Sequence, residues 1–103
     1  MARLSAHTRN HQIAILINQL ECAHIDRAGH KIGTAAWHRS NAAMYTATAD
    51  LFDLGIPMAL ITPRDASGAA ALRVDAARNL EAADMLEAAM IAEFKRETAM
   101  RIA

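Results

Sequence analysis

His7 and His11 stand four residues apart in HTRNH, the spacing that puts two imidazoles on one helix face and offers two ligands to Zn²⁺. Glu21 and His24 form an E-x-x-H pair, the unit that di-iron carboxylate bundles use twice beside further glutamates. Neither set completes a site. The first lacks the glutamate that follows the first histidine of a zinc-protease helix, and the second would need another chain to bring a second pair. These four residues are the metal-ligating candidates, and the expectation is a protein with no metal and no cofactor.

Glu81, Asp84 and Glu87 make an acidic ridge at i, i+3 and i+6. Paired carboxylates can act as acid and base or hold a cation, but on a long helix they read first as a solvated face. A second reading sets them against the basic N-terminal segment, Arg3 and Arg9, of a neighbouring chain. Residues 27–41 supply a different chemistry: Arg27, Lys31 and Arg39 flank a glycine-containing turn, with Trp37, His38, Ser40 and Asn41 close behind. A helix-turn-helix would aim Trp37, His38, Arg39, Ser40 and Asn41 at base edges. The flanking helices are longer than that motif uses, and the turn is not its tight three-to-four-residue form. The same three basic side chains could instead bind a nucleotide or small anion where several subunits meet.

Other chemistries find no support. Gly29, Gly33, Gly55 and Gly68 are scattered and form no phosphate loop. No nucleophile sits in a strand-to-helix elbow. The single cysteine, Cys22, lies in an apolar stretch and reads as a reduced, buried thiol. An enzyme is not expected.

The elements that must position these residues are helices. The first is expected over 5–28, where Ile13, Leu16, Ile17 and Leu20 share one face, and Gly29 supplies its stop. Ile15, Cys22 and Ile25 widen its apolar surface enough to predict contact on two sides. The second runs from Thr34, an N-cap, to Leu54 before Gly55, with Trp37, Met44 and Leu51 repeating every seven residues and Ala47 between them as an antiparallel seam. The third is expected over 63–101: Thr62 can cap, Pro63 takes the first helical position and Asp65 completes the capping-box spacing. Leu72, Ala76, Leu80, Ala83, Leu86, Met90 and Phe94 form its stripe. An unbroken helix of about 40 residues would be roughly 60 Å long. Either it breaks, with Gly68 the obvious weak point, or another chain covers its far end, so the C-terminal end is expected to be docked.

The connection Gly55 to Pro63 carries no charge, so Ile56, Met58 and Leu60 either plug one end of the bundle or form a patch for another protein. Composition fits a thin-cored assembly. Of 103 residues, 25 are alanine, and aromatic residues make up only 4%, too few for a single-strand stacking platform. Net charge is zero, which gives no bulk attraction to nucleic acid or membrane. Residues 1–40 nevertheless hold five Lys/Arg against two Asp/Glu, and residues 41–103 hold six against nine, leaving +3 and −3 that can pair within or between chains. No signal peptide or membrane span is legible, so a cytoplasmic location follows, in a bacterium or a phage-infected bacterial cell.

These readings converge on a single all-α domain, an antiparallel three-helix bundle with a long C-terminal helix, assembled as a homodimer or larger oligomer. Met85, Ala89, Ile91, Phe94 and Met100 are its candidate oligomer interface. Ile56, Met58, Leu60, Arg27, Lys31 and Arg39 are its candidate partner-binding residues. The expected function is non-catalytic protein binding, in the manner of a phage or mobile-element accessory protein that inhibits a host protein. The alternatives are an oligomeric small-molecule or nucleotide binder and a DNA-binding regulator using residues 27–41.

Overall fold

A computed structural model of the chain describes residues 5–56 and 68–102, and all of its regular structure is helical. Helix α1 spans Ala6–Ala28, α2 Ala35–Asp53 and α3 Ala69–Ile102. The first two begin where side-chain oxygens meet orphan amides. Ser5 accepts from the Thr8 N–H at 3.1 Å, and Thr34 accepts from the Trp37 N–H at 3.2 Å while its hydroxyl donates to the Lys31 carbonyl at 2.8 Å. Helix α2 ends in a Schellman motif. With Gly55 at φ +82°, its N–H reaches the Phe52 carbonyl and the Ile56 N–H reaches that of Leu51, each at 2.9 Å. Ile56 completes the motif by packing on the core around Leu51. The Arg9 guanidinium of α1 donates to the Leu54 carbonyl, so a side chain of one helix caps the end of the next.

Two further helix ends are set by glycines. Helix α1 stops at Gly29 as expected, but Gly29 is right-handed at φ −81°, and the left-handed residue of the turn is Gly33 at φ +90°. The proposed start of the third helix at Thr62 and Pro63 lies outside the described residues. Gly68 stands at φ +108°, a conformation no helix interior contains, so of the two expected alternatives it is the break at Gly68 that occurs, and the described helix starts at Ala69.

Helix α2 is the middle layer. Arg9 of α1 reaches the C-terminal end of α2 and Arg27 reaches Asn41, so the two helices run antiparallel. Arg73 of α3 pairs with Asp50 and Asp53, and Arg39 of α2 with Asp84 and Glu87, so α2 and α3 are antiparallel too. Helices α1 and α3 flank α2, and their backbones do not approach within 8 Å of each other. This is why α1 is covered on one side only, contrary to the two-sided contact its width suggested. Ile15 and Ile25 remain exposed.

The core is small. Leu20, Ala23, Met44, Ala47 and Leu51 form its α1–α2 half, with Ile13, Leu16 and Ile17 at the edge. Leu72, Ala76 and Ala83 are the buried residues of α3. Among the described residues, six of the ten buried apolar residues are alanine, whereas twelve large apolar side chains lie exposed, so more hydrophobic bulk is outside the core than in it. The molecule is accordingly long, 65 × 28 × 26 Å with a radius of gyration of 17.9 Å. A compact domain of this length has a radius of about 13 Å.

Candidate functional site

A polar cluster links side chains of all three helices. Asn41, only 6% exposed, accepts from the Arg27 guanidinium of α1 at 2.8 Å and donates to Asn79 Oδ1 of α3 at 3.1 Å. His38 Nδ1 lies 2.8 Å from the same Asn79 oxygen, and the Asn79 amide nitrogen donates to the Asp75 carbonyl at 2.8 Å. Every buried side-chain nitrogen and oxygen among the described residues has a hydrogen-bond partner. Such a satisfied network fixes the register of helices whose alanine faces would otherwise slide. Sequence reasoning missed it, although the signal was there: Asn79 falls in step with Leu72, Ala76 and Ala83 on an otherwise apolar line.

On another side of α2, α1 and α3 form the walls of an open groove of about 600 Å³. Its floor is Ala42, Ala43, Thr46 and Ala47, with Gln19, Cys22 and Asp26 on the α1 wall and Leu80 on the α3 wall. Cys22 is exposed here, which corrects the expectation of a buried thiol. Leu20 and Ala23 take the face toward α2, and Cys22 lies about 100° away from Ala23 around the helix. Across this side, Arg39 joins α2 to α3 through Glu87 and, at 3.3 Å, Asp84. The hydrogen bond to Glu87 is the main reason the Arg39 guanidinium is held above its ordinary pKa; partial desolvation opposes it, and the charges of Glu87 and Asp84 add to it. Arg73 is raised likewise, first by its hydrogen bond to Asp53 at 2.6 Å and then by Asp50 at 2.8 Å. Two residues of the acidic ridge thus meet a basic side chain of their own chain, and Arg9, one of the two arginines proposed to meet the ridge, is engaged at Leu54.

The most exposed apolar surface is the far end of α3. Every residue from Asp84 to Ile102 is exposed. The C-terminal end is therefore not docked on its own chain, because α2, with 19 residues against the 34 of α3, runs out first. At 3.6 residues per turn, Leu86, Met90 and Phe94 fall within about 40° of the direction of Leu72, so they prolong the face that Leu72, Ala76 and Ala83 bury against α2. Met90 and Phe94 are 68% and 69% exposed.

The residues proposed from sequence are dispersed over these features. Met85, Ala89, Ile91, Phe94 and Met100 all lie exposed on the end of α3, but only Phe94 is on the line that continues the buried face. That set omitted Leu86 and Met90, which the period of the stripe includes. Arg27 is held by Asn41 and Arg39 by Asp84 and Glu87, while Lys31 is exposed in the turn. Ile56 is half-buried against the α1–α2 core; Met58 and Leu60 lie outside the described residues. His7, His11, Glu21 and His24 are all exposed on α1, and among the described residues no three His, Cys, Asp or Glu side chains come together. Of the five side chains a recognition helix would aim at bases, His38, Arg39 and Asn41 are turned to neighbouring helices. No described helix is long and apolar enough to cross a membrane.

No family model, curated protein or solved structure matches the chain. The site therefore has to be read from its own geometry: a short helical scaffold, two helices packed on a third, that carries an extended apolar helix end.

Proposed function

We propose that this protein is a non-catalytic interaction module whose working surface is the C-terminal stretch of α3. The observation that supports it is the row of Leu86, Met90 and Phe94, which continues a buried helix face past the end of α2 and lies exposed. Met85, Ile91, Met100 and Ile102 add exposed apolar bulk around the same stretch. An apolar helix face of this kind binds by laying itself against another helix or groove, a mode that needs no catalytic group. The narrower form of the reading is an intracellular accessory protein of a phage or mobile element, whose binding costs a host protein its activity.

The competing readings have fewer free donors, since of their basic side chains only Lys31 is exposed without an ion pair or hydrogen bond among the described residues. Nucleotide binding by Arg27, Lys31 and Arg39 would use two guanidiniums already committed to Asn41, Asp84 and Glu87. DNA reading by residues 37–41 meets the same obstacle. The test is substitution on the surface itself: Met90→Glu and Phe94→Glu should abolish protein binding and leave helix content by circular dichroism unchanged. Retention of binding in both variants would sink the reading.

A further inference from the structure

We propose that the partner of this surface is a second copy of the chain, and that the two copies pair antiparallel through residues 86–102 about a two-fold axis near Phe94. The inference rests on the reading of the α3 end as the working surface and names its occupant.

The register comes first. Asn41 and Asn79 are joined by short side chains and so lie level with each other, which places Ala35, six residues earlier on the antiparallel α2, level with about residue 85. Burial agrees, because uninterrupted exposure begins at Asp84. What is missing from the chain is therefore a helix that continues the line of α2 past its N-terminus, antiparallel to α3, over about 17 residues or roughly 25 Å. The end of α3 from a second copy has that length, that direction and an apolar face.

The two ends complete each other. When each fills the vacancy in the other, the axis must fall at the midpoint of 86–102, which is Phe94, and the contact closes on itself as an isologous pair. Phe94 then meets its own counterpart. Glu87 and Arg101 lie seven residues before and after Phe94 and within about 40° of each other around the helix, so Arg101 of each copy comes opposite Glu87 of the other. Glu87 already holds Arg39 with Asp84 alongside, and the added arginine would balance two carboxylates with two guanidiniums. The C-terminal end of the partner's α3, with its negative dipole, arrives at the N-terminus of α2, which is positive.

The molecule as a whole carries surface to spare. A monomer of 11.2 kDa has about 5,700 Å² of accessible surface. This chain has 7370 Å². The excess, about 1,700 Å², is roughly twice the 800 Å² that each partner contributes to a standard interface.

Sedimentation equilibrium of the whole chain from about 1 to 100 μM tests the proposal. A mass twice 11.2 kDa is expected. Phe94→Glu should weaken pairing by at least about 100-fold, since two buried phenyl groups are lost at once. Ile25→Glu, on the exposed side of α1, should leave pairing unchanged. In a Cys22→Ala background, Phe94→Cys should form an intermolecular disulfide under mild oxidation, because the two positions meet at the axis, and Val74→Cys should not. A monomer at 100 μM, a dimer indifferent to Phe94→Glu, or no disulfide at position 94 in a chain that does dimerise would each overturn it. A monomer whose α3 end binds a different protein removes the second copy but keeps the interaction surface. A monomer whose α3 end binds nothing removes both.

Discussion

Asn79 occupies a position where the stripe of α3 calls for a hydrophobic residue, and its oxygen serves two groups on α2 at once. Replacing it with alanine leaves the nearly buried Asn41 amide and the His38 ring without that acceptor. Asn79→Ala should therefore cost about 1–3 kcal/mol, more than the loss of a single exposed hydrogen bond, and urea denaturation would measure it. A result within a few tenths of a kcal/mol of the parent would mean that the cluster does not set register. Cys22 gives a second prediction at this scale. Its exposure on the groove wall means that Ellman's reagent should titrate one thiol in the native protein without denaturant, whereas Leu20→Cys in a Cys22→Ala background should react only on unfolding. Both residues were visible in the sequence, and both were misjudged or passed over for one reason. A side chain's environment depends on which neighbours reach it: Cys22 lies to the side of the face by which α1 packs on α2, the one described helix against it, and Asn79 faces the polar side chains of α2.

At the scale of the helices, sequence was a better guide, because helix ends are local chemistry. Thr34 was recognisable as a cap and Gly55 as a left-handed terminator, and α1 and α2 lie within a residue of the expected bounds. Thr34 does two jobs, accepting from Trp37 and donating to Lys31, so Thr34→Ala should cost about 1 kcal/mol, at the middle of the range for a lost cap. Thr34→Asn, which keeps an acceptor, should recover most of it; equal thermal stability of the two variants would argue against capping. The seam Trp37, Met44, Ala47 and Leu51 was legible by its period; the last three are buried and Trp37 is half-buried. The cover over each stripe was not. The periodicity of α3 runs from Leu72 through Phe94 without a break, and no feature of the sequence marks where α2 ends beneath it. That boundary depends on the register of α2 against α3, which the Asn41–Asn79 contact sets.

Among the described residues twelve large apolar side chains lie exposed against four, Leu20, Met44, Leu51 and Leu72, that are buried, an arrangement that a stable monomer of this size does not favour. Helix α3 beyond Glu87 contributes no buried residue to its own chain. Two consequences follow that can be measured together. If those residues serve only contacts with another chain, removing 89–102 should leave the melting temperature at low concentration nearly unchanged. If the second chain is another copy, the full protein should melt at a higher temperature as concentration rises, since each tenfold increase favours the dimer by about 1.4 kcal/mol, and the shortened protein should melt at one temperature throughout. A shortened chain that loses its cooperative transition at all concentrations would mean instead that the end of α3 stabilises the scaffold from within. The antiparallel layers would then depend on a helix end that touches neither of the other two helices. Neither the lone contact faces of α1 and α3 on α2 nor the thin alanine core provides a route for such a dependence, so concentration-dependent melting is the outcome expected.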